Sequence, residues 1–161
     1  MKARKGFTLV ELLIVIVIIG ILASSMMLSS GSATATAEAS NIITDLRVMK
    51  AAALMLYADS MDFFNMGSIT VGNVDYLRRY LDNPMKLSLV SSNNPYKFVI
   101  RTGTDPKWWV GYNLREGMKT REVGDKLSGR AGSIGMYKDS NSYATANIYV
   151  AGGTEVWMVA R

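Results

Sequence analysis

Lys5-Gly6-Phe7-Thr8-Leu9-Val10-Glu11, continuing through Leu12-Leu13-Ile14-Val15-Ile16-Val17-Ile18-Ile19-Gly20-Ile21-Leu22-Ala23, is the stretch that organises this sequence of 161 residues. Between Gly6 and Ala37 the only charged side chain is Glu11. Taken as a helix, the run from Leu9 to Leu28 spans about 30 Å, the hydrocarbon thickness of a bilayer. It is therefore long enough to cross a membrane. Lys2, Arg4 and Lys5 precede it, and the first charge beyond it is Glu38. This bias of positive charge predicts a cytoplasmic Met1 with the bulk of the chain on the far side. A secretory signal has the same basic start, and Ala33-Thr34-Ala35 would serve it as a cleavage site. Against that reading, the apolar run exceeds the roughly 7 to 15 residues of a signal core, and a carboxylate near its start is costly in hydrocarbon unless a partner meets it. A plain membrane anchor keeps the helix but gives Glu11 no task.

The quoted residues closely resemble the N-terminus of type IV pilins and pseudopilins. They share a basic leader, a glycine, an aromatic residue, a glutamate four positions after it and an apolar helix. In that family a prepilin peptidase cuts after the glycine and methylates the new N-terminal phenylalanine. The resemblance thus implies cleavage between Gly6 and Phe7 and N-methylation of Phe7. It implies a leader over residues 1–6 that carries Lys2, Arg4 and Lys5, a transmembrane and assembly segment over 7–36, and a globular head over 37–161. The implied architecture is α+β: a pilin fold whose long N-terminal helix, transmembrane in its first half, packs on a C-terminal antiparallel sheet. The implied partners are further copies or other pilins, the prepilin peptidase, an inner-membrane assembly platform and, before assembly, membrane lipid. The precursor would sit in a bacterial inner membrane and the product in an extracellular pilus or a periplasmic pseudopilus.

Phe7 and Glu11 carry the implied assembly chemistry. Cleavage at Gly6 exposes an ammonium on Phe7, and a buried carboxylate needs a cation. In a filament of parallel helices the Phe7 amine of an incoming subunit would neutralise the Glu11 of a neighbour. Pairing within one chain is the alternative, since the two residues are four apart on a helical face. One departure from the family concerns Leu28, whose position holds a proline in many pilins, whereas no proline precedes Pro84 here. Ser24-Ser25 and Ser29-Ser30-Gly31-Ser32 instead lower helix propensity. This stretch would either melt when subunits pack or extend as helix through the membrane interface.

Further along, Ile42, Leu46, Met49, Ala53, Leu56 and Phe64 recur at helical intervals, so the helix is expected to run from Phe7 to about Phe64, roughly 87 Å. Met49, Met55, Met61 and Met66 read as adaptable core. Asn65 to Gly72 breaks the pattern, and Val74 to Leu81 reads as a short helix ended by Asn83-Pro84. Lys97 to Arg101 and Trp108 to Tyr112 flank a turn at Thr102–Pro106 and predict a hairpin. Ala146 to Ala151 and Glu155 to Ala160, flanking Gly152-Gly153, predict a second. Between them Thr120 to Leu127 reads as a short amphipathic helix and Ile134 to Lys138 as a fifth strand. Helix, connector and antiparallel sheet together give an α+β fold.

Hydrophobic residues make up 49% of the chain and charged ones 19%, with net charge +5 and neither histidine nor cysteine. That composition excludes Ser/His/Asp triads, thiolate nucleophiles, disulfides and the usual zinc sites. Ser128 has no histidine to activate it, Gly129, Gly132 and Gly135 lack a phosphate-loop context, and no enzyme activity or cofactor is expected. Asp59, Asp62, Asp105, Asp125 and Asp139 lack the spacing of a calcium loop, so no metal site is assigned. From Lys97 to Lys138 there are nine Lys/Arg against four Asp/Glu. Lys97, Arg101, Lys107 and Arg115 interleave with Trp108, Trp109 and Tyr112, the mixture that binds single-stranded nucleic acid by stacking and phosphate contact. Strand alternation puts Trp108 and Tyr112 on one face and Trp109 on the other, so at least one aromatic reads as core.

The family resemblance admits two functions. The first is a structural subunit that polymerises into a pilus. The other is a pseudopilin of a type II secretion or DNA-uptake machine. A membrane-anchored binding domain that never polymerises is a third class.

Overall fold

The structure, a computed structural model, describes residues 6–59, 74–81, 94–101, 107–117, 119, 121–140 and 147–161, apart from the side chains of 28–30. Two compact units divide the chain, Met1–Thr34 and Ala35–Arg161. A single helix, α1 (Leu9–Asp59), contributes to both. The expected end of this helix near Phe64, the break at Asn65–Gly72, the Asn83-Pro84 stop and the Thr102–Pro106 turn all lie outside the described residues.

In the first unit the large apolar side chains from Leu9 to Met27 are exposed on every side of the helix. Among the described residues this is the one helix long and apolar enough to cross a membrane. The hydroxyls of Ser24, Ser25 and Thr34 each donate, at 2.8 Å, to the carbonyls of Gly20, Leu22 and Gly31. The small polar stretch is thus helical throughout in the single chain.

The second unit begins where α1 starts to bury side chains. Ala35, Ala39, Ile42, Ile43, Leu46, Met49, Ala52 and Ala53 form its inner stripe, with Leu56 packed at the margin. The predicted stripe is therefore present over its described part. The methionines do not follow it: Met49 is buried while Met55 is 54% exposed. Six residues at about 100° each turn Met55 away from the Met49 face. Met61 and Met66 lie outside the described residues.

Four strands pair antiparallel in the order β1-β2-β4-β3: β1 (Tyr96–Arg101), β2 (Lys107–Asn113), β3 (Met136–Tyr137) and β4 (Glu155–Val159). The first predicted hairpin is present, with Arg101 opposite Lys107. The second is not. Residues 147–151 make no strand beside β4, which lies between β2 and β3, and Ala146 lies outside the described residues. Ile148 instead bridges Tyr137, and the Tyr149 amide donates to the Met136 carbonyl at 2.9 Å. The cause is the Tyr149 side chain, which is buried and donates its hydroxyl to the Gly153 carbonyl at 3.1 Å. Its ring comes so near Gly153 that a Cβ there would lie 2.8 Å from it. Gly153 therefore packs against the Tyr149 ring, while Gly152, at φ +88°, turns the chain just before it.

Helix α2 (Arg121–Ile134) extends well past the predicted Leu127, because Val123, Leu127 and Ala131 continue one buried face at four-residue spacing. It stops at Gly135, whose φ of +76° suits a left-handed helix end. Ile134 thus belongs to the helix, and the predicted fifth strand shrinks to β3. The short helix beginning at Val74 is a 3-10 helix, Val74–Tyr80, with Val74 and Leu77 buried three residues apart.

Phe98, Trp108, Val110, Tyr112, Val156 and Met158 point from one sheet face into the core formed with the α1 stripe. Trp108 meets Phe98 and Tyr57 edge to face, with centroids 5.7 and 5.4 Å apart. On the opposite face the Trp157 ring covers Gly111, where a Cβ would come within 2.4 Å of it.

Candidate functional site

The N-terminal site is built around the start of α1. Thr8 stands before the helix, and its carbonyl accepts the first intrahelical bond from the Leu12 amide at 3.3 Å. The Thr8 hydroxyl accepts from the Glu11 amide at 3.3 Å. In return Glu11 Oε2 accepts from the Thr8 amide at 2.8 Å and from the Thr8 hydroxyl at 2.7 Å. This reciprocal pattern is a capping box, which satisfies amides that the first turn would otherwise leave open.

Phe7 precedes the helix and is 88% exposed. In this uncleaved chain Phe7 lies outside the helix and Thr8 engages the Glu11 carboxylate. Gly6 has open space where a Cβ would project, so a side chain there meets nothing among the described residues. Lys2, Arg4 and Lys5 lie outside the described residues. Thr8 is the site residue that charge reasoning misses, although the Thr-x-x-Glu spacing marks it.

The capping box leaves the electrostatic problem of Glu11 open. Two neutral donors orient the carboxylate but do not cancel its charge. It stands as the one ionisable group of a helix segment whose other side chains suit hydrocarbon, where an unpaired charge is costly.

The basic group does not form a stacking platform. Lys97, Arg101 and Lys107 share the outer sheet face with Trp109 and Trp157. Trp109 is 1% exposed, and Trp108 and Tyr112 are buried on the other face, so none of the three aromatics offers a ring to a base. Lys97 pairs with Glu116 at 2.6 Å, and Arg101 donates to the Ser140 hydroxyl at 3.2 Å. Arg115 is exposed beyond the opposite end of β2 from Lys107.

Among the described residues no three Asp or Glu side chains gather into a metal-binding group. Asp59 accepts from the Tyr80 hydroxyl at 2.8 Å, and Asp139 from the Asn147 amide group at the same distance. The head's notable ionisable group is Tyr96. Burial first, then its 2.5 Å hydrogen bond to Asp45 on α1, push its hydroxyl far above the ordinary phenol range. Burial also raises Tyr112 and Tyr149, with smaller contributions from nearby carboxylates.

Comparison with known proteins bears on the same end of the chain. The model of the prokaryotic N-terminal methylation motif matches residues 1–27. Two fimbrial proteins of Pseudomonas aeruginosa are each 43% identical to this chain over 53 residues, 33% of this chain and 34% of theirs. The chain thus matches about a third of the length of these curated relatives. No solved structure matches it.

Proposed function

We propose that this chain, whose residues 1–27 match the prokaryotic N-terminal methylation motif and which is similar to fimbrial proteins over 53 residues, is a structural subunit of the type IV pilin or pseudopilin kind that polymerises through α1 after cleavage between Gly6 and Phe7. The observation that supports this most is the contrast within one helix. From Ala35 onward its inner face is buried by the chain's own sheet, while from Leu9 to Met27 its apolar side chains are exposed on all sides. Lipid satisfies that surface before assembly, and the helices of other subunits satisfy it afterwards.

Glu11 gives the exchange its direction. In lipid its charge is oriented by Thr8 but unneutralised. Beside the methylated Phe7 ammonium of an incoming subunit it forms an ion pair in a dry setting. Breaking one side of such a pair costs about 3 to 5 kcal/mol, equivalent to two or more powers of ten in incorporation. Glu11→Val should still be cut and accumulate in the inner membrane, with filament yield lower by at least about 100-fold. Equal yield from Glu11→Val and the parent would end the pairing mechanism.

The second reading, a short periplasmic pseudopilus, is favoured by the lack of a proline at the position of Leu28 and by the lack of cysteine. Filaments sheared from the cell surface support the pilus. Filaments that reach the surface only on overexpression support the pseudopilus.

A further inference from the structure

We propose that Lys119 and Arg130 make the turn Ala35–Ser40 a stop against unwinding of α1 from its N-terminal side. This goes beyond the role proposed above and does not depend on polymerisation. Upstream of Ala35 the helix is weakened from within. Gly20 and Gly31 lie in open space, and each glycine costs an exposed helix interior about 1 kcal/mol relative to alanine. Helix loss spreads along the chain because each opened turn removes the support of the next.

At Ala35 the surroundings change. Ala35 and Ala39 are buried, but each brings only a methyl group to the core, so apolar burial is small until Ile42. Polar contacts hold the intervening turn. Lys119 pairs with Glu38 at 3.2 Å. Arg130 donates to the Ser40 hydroxyl at 2.9 Å, and that hydroxyl donates to the Thr36 carbonyl, also at 2.9 Å. The guanidinium is thereby linked through one hydroxyl to the backbone of the first buried turn. Arg130 is carried by α2 and Lys119 stands just before it, and α2 is itself fixed by buried Val123, Leu127 and Ala131. The two cations thus act from one anchored element on two successive polar residues of α1.

Hydrogen exchange on the full chain in detergent micelles, read by mass spectrometry, tests this. In Lys119→Ala/Arg130→Ala the amides of residues 35–41 should exchange about tenfold faster than in the parent, while those of 46–53 stay within about twofold. Unchanged exchange at 35–41 overturns the proposal. An equal rise in β2 and β4 also overturns it, because the two side chains would then be general supports of the head. A second pair of variants separates the charge contact from folding: Lys119→Glu should lose protection at 35–41, and adding Glu38→Lys should restore it. A double exchange no better protected than Lys119→Glu contradicts the tether.

Discussion

Met27 and Met49 belong to one helix and live in opposite circumstances: the first is 79% exposed and the second is fully buried. The difference is not one of hydrophobicity, since the exposed half is the more apolar. It lies in what the rest of the chain supplies. The second unit gives Met49 a sheet, whereas Met27 keeps most of its surface exposed. A segment this apolar, left exposed by its own chain, suits a solvent other than water, which on the proposed function is first lipid and then its own kind.

Substitutions of matched size on the two halves should separate these roles. Leu46→Ala removes a fully buried side chain from the α1 stripe and should cost the head about 2 to 5 kcal/mol, read as a lower midpoint of thermal or denaturant unfolding. Ile16→Ala, on the exposed half, should leave that midpoint unchanged. Equal losses from both would erase the distinction.

Alkaline pH probes the second unit alone. Tyr96, Tyr112 and Tyr149 all have raised hydroxyl pKa values in the folded chain, so the native state holds their protons more tightly than the unfolded state does. Head stability should be level through neutral pH and fall above about pH 10, where the unfolded tyrosines ionise first. Tyr96→Phe should lessen that fall while costing about 1 kcal/mol at pH 7, because Asp45 loses its donor. A fall of the same steepness in Tyr96→Phe would remove Tyr96 from the account.

The smallest effect belongs to the first unit. Thr8→Val removes the hydroxyl of the capping box and should loosen the first turn by about 1 kcal/mol, seen as roughly fivefold faster exchange of the Leu9–Leu12 amides, with the head unaffected. Unchanged exchange would mean that the box does not hold the helix start.

Much of this division is legible in the residues themselves. The uninterrupted apolar run, the isolated Glu11 and the Ile42-Leu46-Met49-Ala53 spacing are local patterns, and each translates directly into a helix face. The β1–β2 hairpin is legible for the same reason, because its two strands are neighbours in the chain. What local pattern cannot supply is partnership at a distance. Ile148 and Val150 alternate like strand residues, yet Tyr149 closes on Gly153 and β4 pairs with β2 and β3 instead. Trp109 stands on the face opposite Trp108, but its burial depends on what covers the outer sheet face, where Tyr137 meets it edge to face at 5.6 Å. The Thr8 cap is written in the sequence as Thr-x-x-Glu, and assigning Glu11 wholly to Phe7 hides it.

The pairing proposed for Glu11 rests on where the mature chain begins, because it needs a free amine on Phe7. The direct measurement is the mass and N-terminal sequence of the protein recovered from the membrane and from any filaments. The account predicts a chain that starts at N-methylated Phe7, with residues 1–6 removed and Glu11 retained. A mature chain that starts after Ala35, with the whole apolar run removed as a signal peptide, would contradict it.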